Sequence, residues 1–181
     1  MVTLVSESLY PNDIEIQSLL PEPIYFYKWG GQAGTALTLN YSFSNASSFV
    51  MNDSYAEDFL EYEMDPVAIN SLLSTPGYEL QSFSPTEKNV IHNAIQDWGN
   101  ASGITFVEVN ETNSIYGEIR FHLLDFGVWQ DVDPLFQSGG FAFFPWPNDE
   151  IGGDIFIDSL YTPNDNDGYY EYLVSHEIGH A

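Results

Sequence analysis

Residues 83–109 read FSPTEKNVIHNAIQDWGNASGITFVEV, and the fold is decided there. Ser84 is an N-cap residue, Pro85 takes the first helical position, and Glu87 stands three residues after the cap. In that arrangement the serine side chain accepts a main-chain N–H of the first turn while the glutamate reaches back to the cap. Val90, Ile91, Ala94, Ile95 and Trp98 then recur at spacings of three and four, so they share one helical face. The stretch from Gly99 to Gly103 ends the helix, and ITFVEV (104–109) follows as a strand. A capped amphipathic helix running directly into a strand is one arm of a crossover, so its partner strand lies upstream.

That partner is TALTLNYSFS (35–44), where Leu37, Leu39, Tyr41 and Phe43 alternate with polar residues, the mark of a strand with one buried face. A right-handed crossover makes the two strands parallel. Downstream, GEIRFHLL (117–124), FAFFP (141–145) and DIFID (154–158) read as three more strands, and a last helix runs from about Gly168 to the end. The expected fold is α+β: a mixed twisted sheet of about five strands, a long backing helix and a final helix. Residues 1–25 read as an irregular leader or pro-segment and 26–181 as one folded unit. Within 45–82 the only legible element is a short helix through Leu60, capped by Ser54 and Glu57.

Bulk composition narrows the function. The chain has 181 residues, enough for one domain with a real core, and 44% of them are hydrophobic. Against 27 Asp and Glu stand only Lys28, Lys88 and Arg120, a net charge of -24. Nucleic acid and anionic membranes need clustered Lys and Arg, so neither is a partner. Acidity of this degree reads as a solubility adaptation. There is no cysteine, which excludes disulfides, a catalytic thiol and a cysteine latch over a metal. No run approaches the roughly 18 apolar residues of a membrane span. The start, MVTLVSESLYPND, lacks the plan of a secretory signal. N-x-S/T triplets at Asn45, Asn52, Asn100 and Asn110 are attributed to chance.

The chemistry lies in SHEIGHA (175–181). His176 and His180 are four apart, so on a helix both imidazoles project from one side and can grip one ion. Glu177 is turned about 100° from His176, near enough to reach a metal-bound water without being a ligand. Two neutral nitrogens for zinc and a carboxylate to take the water's proton are what metal-assisted hydrolysis requires. Leu173, Val174 and Ile178 form an apolar stripe beside them. Gly179 costs about 1 kcal/mol in a helix and points to close packing there.

HEIGHA resembles the start of the metzincin signature H-E-x-x-H-x-x-G-x-x-H. Its surroundings resemble the serralysin group of bacterial zinc metalloproteases. KWGGQAG with LTLNYSF is similar to that group's opening segment and first strand, and FSPTEKNVIHNAIQDWGNASGITFVEV to its long helix and second strand. GEIRFHLLD, GGFAFFPWP, GGDIFID and YEYLVSHEIGHA follow in the family's order, so the resemblance covers residues 26–181 with 45–82 weak. It implies a secreted zinc endopeptidase, monomeric, with protein or peptide substrates, exported without an N-terminal signal peptide. His176 and His180 are then zinc ligands and Glu177 the general base. The main chain of Phe141, Ala142 and Phe143, in an edge strand above the cleft, binds the substrate as an added strand. Calcium enters through glycine- and aspartate-rich repeats that follow in that group.

The chain departs from the signature after Ala181, before its glycine, its third histidine and the methionine turn. The resemblance is therefore to the front part of the catalytic domain, and zinc held by two histidines is expected to be weakly bound, with little or no proteolysis. His92 and His122 read as surface or packing residues, and Trp98, Trp129 and Trp146 as core or cleft-rim aromatics. Asn164 to Gly168 reads as a solvated turn, since the calcium-loop pattern fails at its glutamate position. The helix is expected to hold through about Ile178 and to fray at His180. Rival readings are a noncatalytic binding module on the same scaffold, an inactive fragment, a structural domain with a fortuitous HExxH, and, among enzymes, an astacin- or matrixin-like protein.

Overall fold

The computed structural model describes residues 2–4, 27–30, 35–49, 67, 74, 79–129, 138–146, 150–163 and 168–181. Its elements in chain order are β1 (Val2–Leu4), β2 (Tyr27–Trp29), β3 (Thr38–Phe43), α1 (Pro85–Ser102), β4 (Thr105–Glu108), β5 (Ile119–Leu124), α2 (Phe126–Trp129), β6 (Gly140–Ala142), β7 (Ile155–Asp158) and α3 (Tyr169–His180). Five strands form one mixed sheet in the order β4-β3-β5-β7-β6, all parallel except β6, which runs antiparallel to β7 at one edge. The crossover through α1 does bring β3 and β4 together as parallel neighbours, with Thr38 opposite Thr105.

The capping box is complete. Ser84 accepts the Glu87 N–H, the Glu87 carboxylate accepts the Ser84 N–H at 2.6 Å, and Gly103 closes the helix in the left-handed region with φ 77°. The leader differs from its reading: Val2–Leu4 is a strand, paired antiparallel with Tyr27–Trp29. The short helix read at Ser54 to Leu60 and the Asn164–Asp167 turn lie outside the described residues.

Period-two alternation divides the sheet into two faces. Leu39, Tyr41, Phe43, Ile119, Phe121, Leu123, Ile155 and Ile157 point to one side and join Ile91 and Ile95 of α1 with Tyr170, Leu173, Val174 and Ile178 of α3 in the core. Both helices therefore lie on this face and pack on each other.

The opposite face of β3, marked by alternation as its polar side, is buried as well. Ser42, Ser44, Arg120, His122, Asp154 and Asp158 are all at most 5% exposed. Burial is tolerated because the groups are paired. Arg120 bonds Glu111 through Nη2 at 2.7 Å, and the Glu111 carboxylate also accepts the hydroxyls of Ser42 (2.7 Å) and Ser48 (3.0 Å). His122 sits between Ser44 Oγ at 2.6 Å and Asp154 Oδ2 at 2.9 Å, with the Phe156 ring stacked on it at 4.4 Å. Two of the three basic residues have structural tasks: Arg120 here, and Lys88 with its ammonium 4.5 Å from the centre of the Phe43 ring.

Candidate metal centre

Helix α3 starts at Gly168, whose φ of 70° lets the chain turn into the helix without a side-chain cap. Tyr170, Leu173, Val174 and Ile178 bury one stripe and fix the helix's rotation against the sheet. That rotation leaves His176 and His180 half-buried, side by side one turn apart, while Glu177 is turned inward and only 4% exposed.

The two imidazoles converge. Their Nε2 atoms are 3.0 Å apart, the ring centres 4.7 Å apart, and the planes meet at 82°. Two nitrogens bound tetrahedrally to zinc at about 2.0–2.1 Å are separated by about 3.3 Å. The pair thus fits two positions of a zinc shell with a shift of a few tenths of an ångström. Without a metal, one Nε2–H donates to the other ring's lone pair. Tyr172 lies beside His176 with ring centres 5.7 Å apart, and Phe144 meets His180 edge-on at 5.4 Å. Phe144 comes just after β6, so the outermost strand is drawn up to the histidines.

Burial pushes the Glu177 carboxyl up to about 7, because the charged form loses its hydration there. A cation held by the histidines would favour the ionised form and bring the carboxylate back towards its ordinary range.

The other site residues named from the sequence fall as follows. Phe141 and Ala142 lie in β6, opposite Phe156 and Ile155. Phe143 follows the strand, and its N–H and C=O are both used inside the protein, bonding the Asp154 carbonyl and the Gly153 N–H at 2.9 Å each. Main-chain groups alternate in direction along an antiparallel strand, so of the three residues it is Ala142 whose N–H and C=O point away from β7. His92 is engaged elsewhere: its Nε2 lies 3.0 Å from a Glu108 carboxylate oxygen in a geometry that makes no hydrogen bond. His122 is locked in the buried back face. Among the described residues no set of three His, Cys, Asp or Glu side chains converges as a metal site.

The helix also runs two residues beyond the expected Ile178, to His180. The Ala181 N–H bonds the Glu177 carbonyl at 3.1 Å, and the Ala181 main-chain oxygen accepts the Trp29 indole N–H at 2.6 Å. The last turn is held by a partner 152 positions away, which the residues of the helix do not announce. Phe144, Tyr172 and Trp29 were not singled out as site neighbours, since no local pattern marks an aromatic as belonging to a distant helix.

Comparison of the chain with models of known protein families finds no match, and comparison with curated proteins finds none either. The functional reading rests on the residues themselves.

Proposed function

We propose that this chain carries the zinc-binding half of a metal-dependent endopeptidase, in keeping with its resemblance to serralysin-like metzincins. The observation that carries the reading is the 3.0 Å approach of His176 Nε2 to His180 Nε2, with the next residue after His176, Glu177, buried. His176 and His180 hold the metal. Zinc, when bound, supplies the positive charge that polarises a scissile carbonyl and acidifies a water molecule. As general base, the Glu177 carboxylate would take a proton from the attacking water and pass it to the leaving amine. A cation held by the histidines favours the carboxylate form, which is the form a general base needs. Ala142 presents main-chain groups for an extended peptide, and Phe144 and Tyr172 flank the metal with apolar surface. Catalytic zinc ordinarily has three protein ligands and one open position, and the described residues provide two of the three.

Metal titration tests the reading. One zinc ion per chain is expected, with binding lost in His176→Ala and in His180→Ala and retained in His92→Ala. Zinc binding that survives both of the first two substitutions would end the proposal. Where cleavage of a protein substrate is measurable, Glu177→Gln should abolish it without releasing zinc. Zinc bound in a protein with no cleavage under any condition would instead favour a noncatalytic binding module.

A further inference from the structure

We propose that Trp29 and Trp98 are positioning residues for the histidine pair, an inference that rests on the zinc reading above. The Trp98 indole N–H donates to the main-chain oxygen of Ser175 at 2.9 Å, and the Trp29 indole N–H to that of Ala181 at 2.6 Å. Ser175 immediately precedes His176, and Ala181 immediately follows His180. The two indoles thus grip the helix on either side of the H-E-I-G-H segment, over a rise of about 9 Å. They come from different parts of the fold, Trp98 from α1 and Trp29 from β2.

Neither ring is loosely held. Both pack against the core. The Trp29 ring also lies over Gly153, where an added Cβ would stand 2.7 Å from a ring carbon, so the missing side chain leaves room for the ring. An anchored ring fixes its N–H, and a fixed N–H fixes the oxygen it holds. The consequence for the histidines is geometric. Metal ligands tolerate only small displacements, and groups that orient ligands from outside the first shell typically contribute 10- to 100-fold to metal affinity. A helix pinned at one end only would leave the other imidazole to drift as the last turn opens.

The test compares Trp29→Phe and Trp98→Phe with Phe83→Leu. The first two keep an aromatic ring but delete the indole N–H together with part of the ring's volume. The third loosens the same core without touching the α3 main chain. Zinc affinity is measured by competition with a chromophoric chelator, at a temperature where thermal unfolding shows each variant folded. The two tryptophan variants should bind zinc roughly 10-fold more weakly or worse, with Phe83→Leu close to wild type. In the metal-free protein, the ring-proton chemical shifts of His180 should move in Trp29→Phe, and those of His176 in Trp98→Phe. Wild-type affinity and unmoved shifts in the tryptophan variants overturn the proposal, as does an equal loss in Phe83→Leu. The variants are read separately, so failure of one to fold leaves the other decisive. A wild-type protein that binds no zinc would sink the zinc reading alone, since the metal-free shifts still decide whether the indoles set the rings.

Discussion

Glu111 and Glu177 are both buried glutamates, one on each side of the same sheet, and their surroundings move them in opposite directions. Burial opposes the charge of both. At Glu111 that cost is outweighed by hydrogen bonding and charge from Arg120 and by the hydroxyl of Ser42, so its carboxyl is held below the ordinary carboxylate range. At Glu177 burial is the resolved cause, and the carboxyl rises to about 7. The histidines divide in the same way. His122 has a hydroxyl on one ring nitrogen and a carboxylate on the other, whereas His176 and His180 turn Nε2 atoms on each other. The back face is polar and internally paired, which is structure. At α3 a buried carboxyl is held at a cost to its charged form, next in sequence to one of two imidazoles that face each other.

The sharpest way to break this comparison is to remove the cation of the back face. Arg120→Ala strands Glu111, whose side chain is 1% exposed, and should cost about 3–5 kcal/mol in urea denaturation at pH 7. Zinc affinity at the remaining folded population should be unchanged. Loss of a kilocalorie or less would mean that Glu111 has other means of carrying its charge.

Glu177→Gln is expected to act in the opposite direction. The folded pKa of Glu177 lies above its unfolded value, so folding favours the protonated form. That stability is complete below about 4.5 and is lost as pH rises through about 7. Relative to the Gln variant, metal-free wild type should therefore weaken between pH 5 and pH 8, by about 3 kcal/mol at most. Denaturation of both proteins across that range checks it. Parallel curves would show that Glu177 ionises in the fold as easily as in water. Glu111 gives the contrasting acid limb: its contribution is present above the ordinary carboxylate range and fades as pH falls through its lowered value.

Salt should separate the two kinds of charge. With 27 acidic and three basic side chains, surface repulsion is relieved as the Debye length falls from about 30 Å at 0.01 M to about 3 Å at 1 M. A gain of roughly 1 kcal/mol, or 2–4 °C in Tm, is expected over that range. The difference between wild type and Glu177→Gln at pH 8 should persist in 1 M NaCl, because desolvation is not screened. If salt erased it, the shift at Glu177 would have to come from neighbouring charge.

Much of the architecture was legible because its signals are local. The Ser84–Glu87 box, the Val90-to-Trp98 stripe and the alternation of Leu39, Tyr41 and Phe43 each report on a few consecutive residues, and each appears as read. The histidine pair was legible for the same reason, since a spacing of four on a helix is enough to bring two rings together. The back face was not. Ser42 and Ser44 alternate with apolar residues as on any half-exposed strand, and nothing nearby announces that Glu111, Arg120 and Asp154 will bury them. The direction of the Phe143 main-chain groups was not legible either, because it depends on register with Gly153 and Asp154.

The sequence by itself determined the element types, the parallel β3–β4 crossover and the presence of two nitrogens and a carboxyl on one short helix. These depend on period, capping and spacing, properties that a chain carries within a few turns. Tertiary structure alone decided the strand order, the opposite fates of Glu111 and Glu177, and the hold of Trp29 and Trp98 on the two ends of the H-E-I-G-H segment. Those indoles reach oxygens 152 and 77 residues away. Burial and hydrogen-bond partnership at such separations are set by packing of the whole sheet, and no local pattern encodes them.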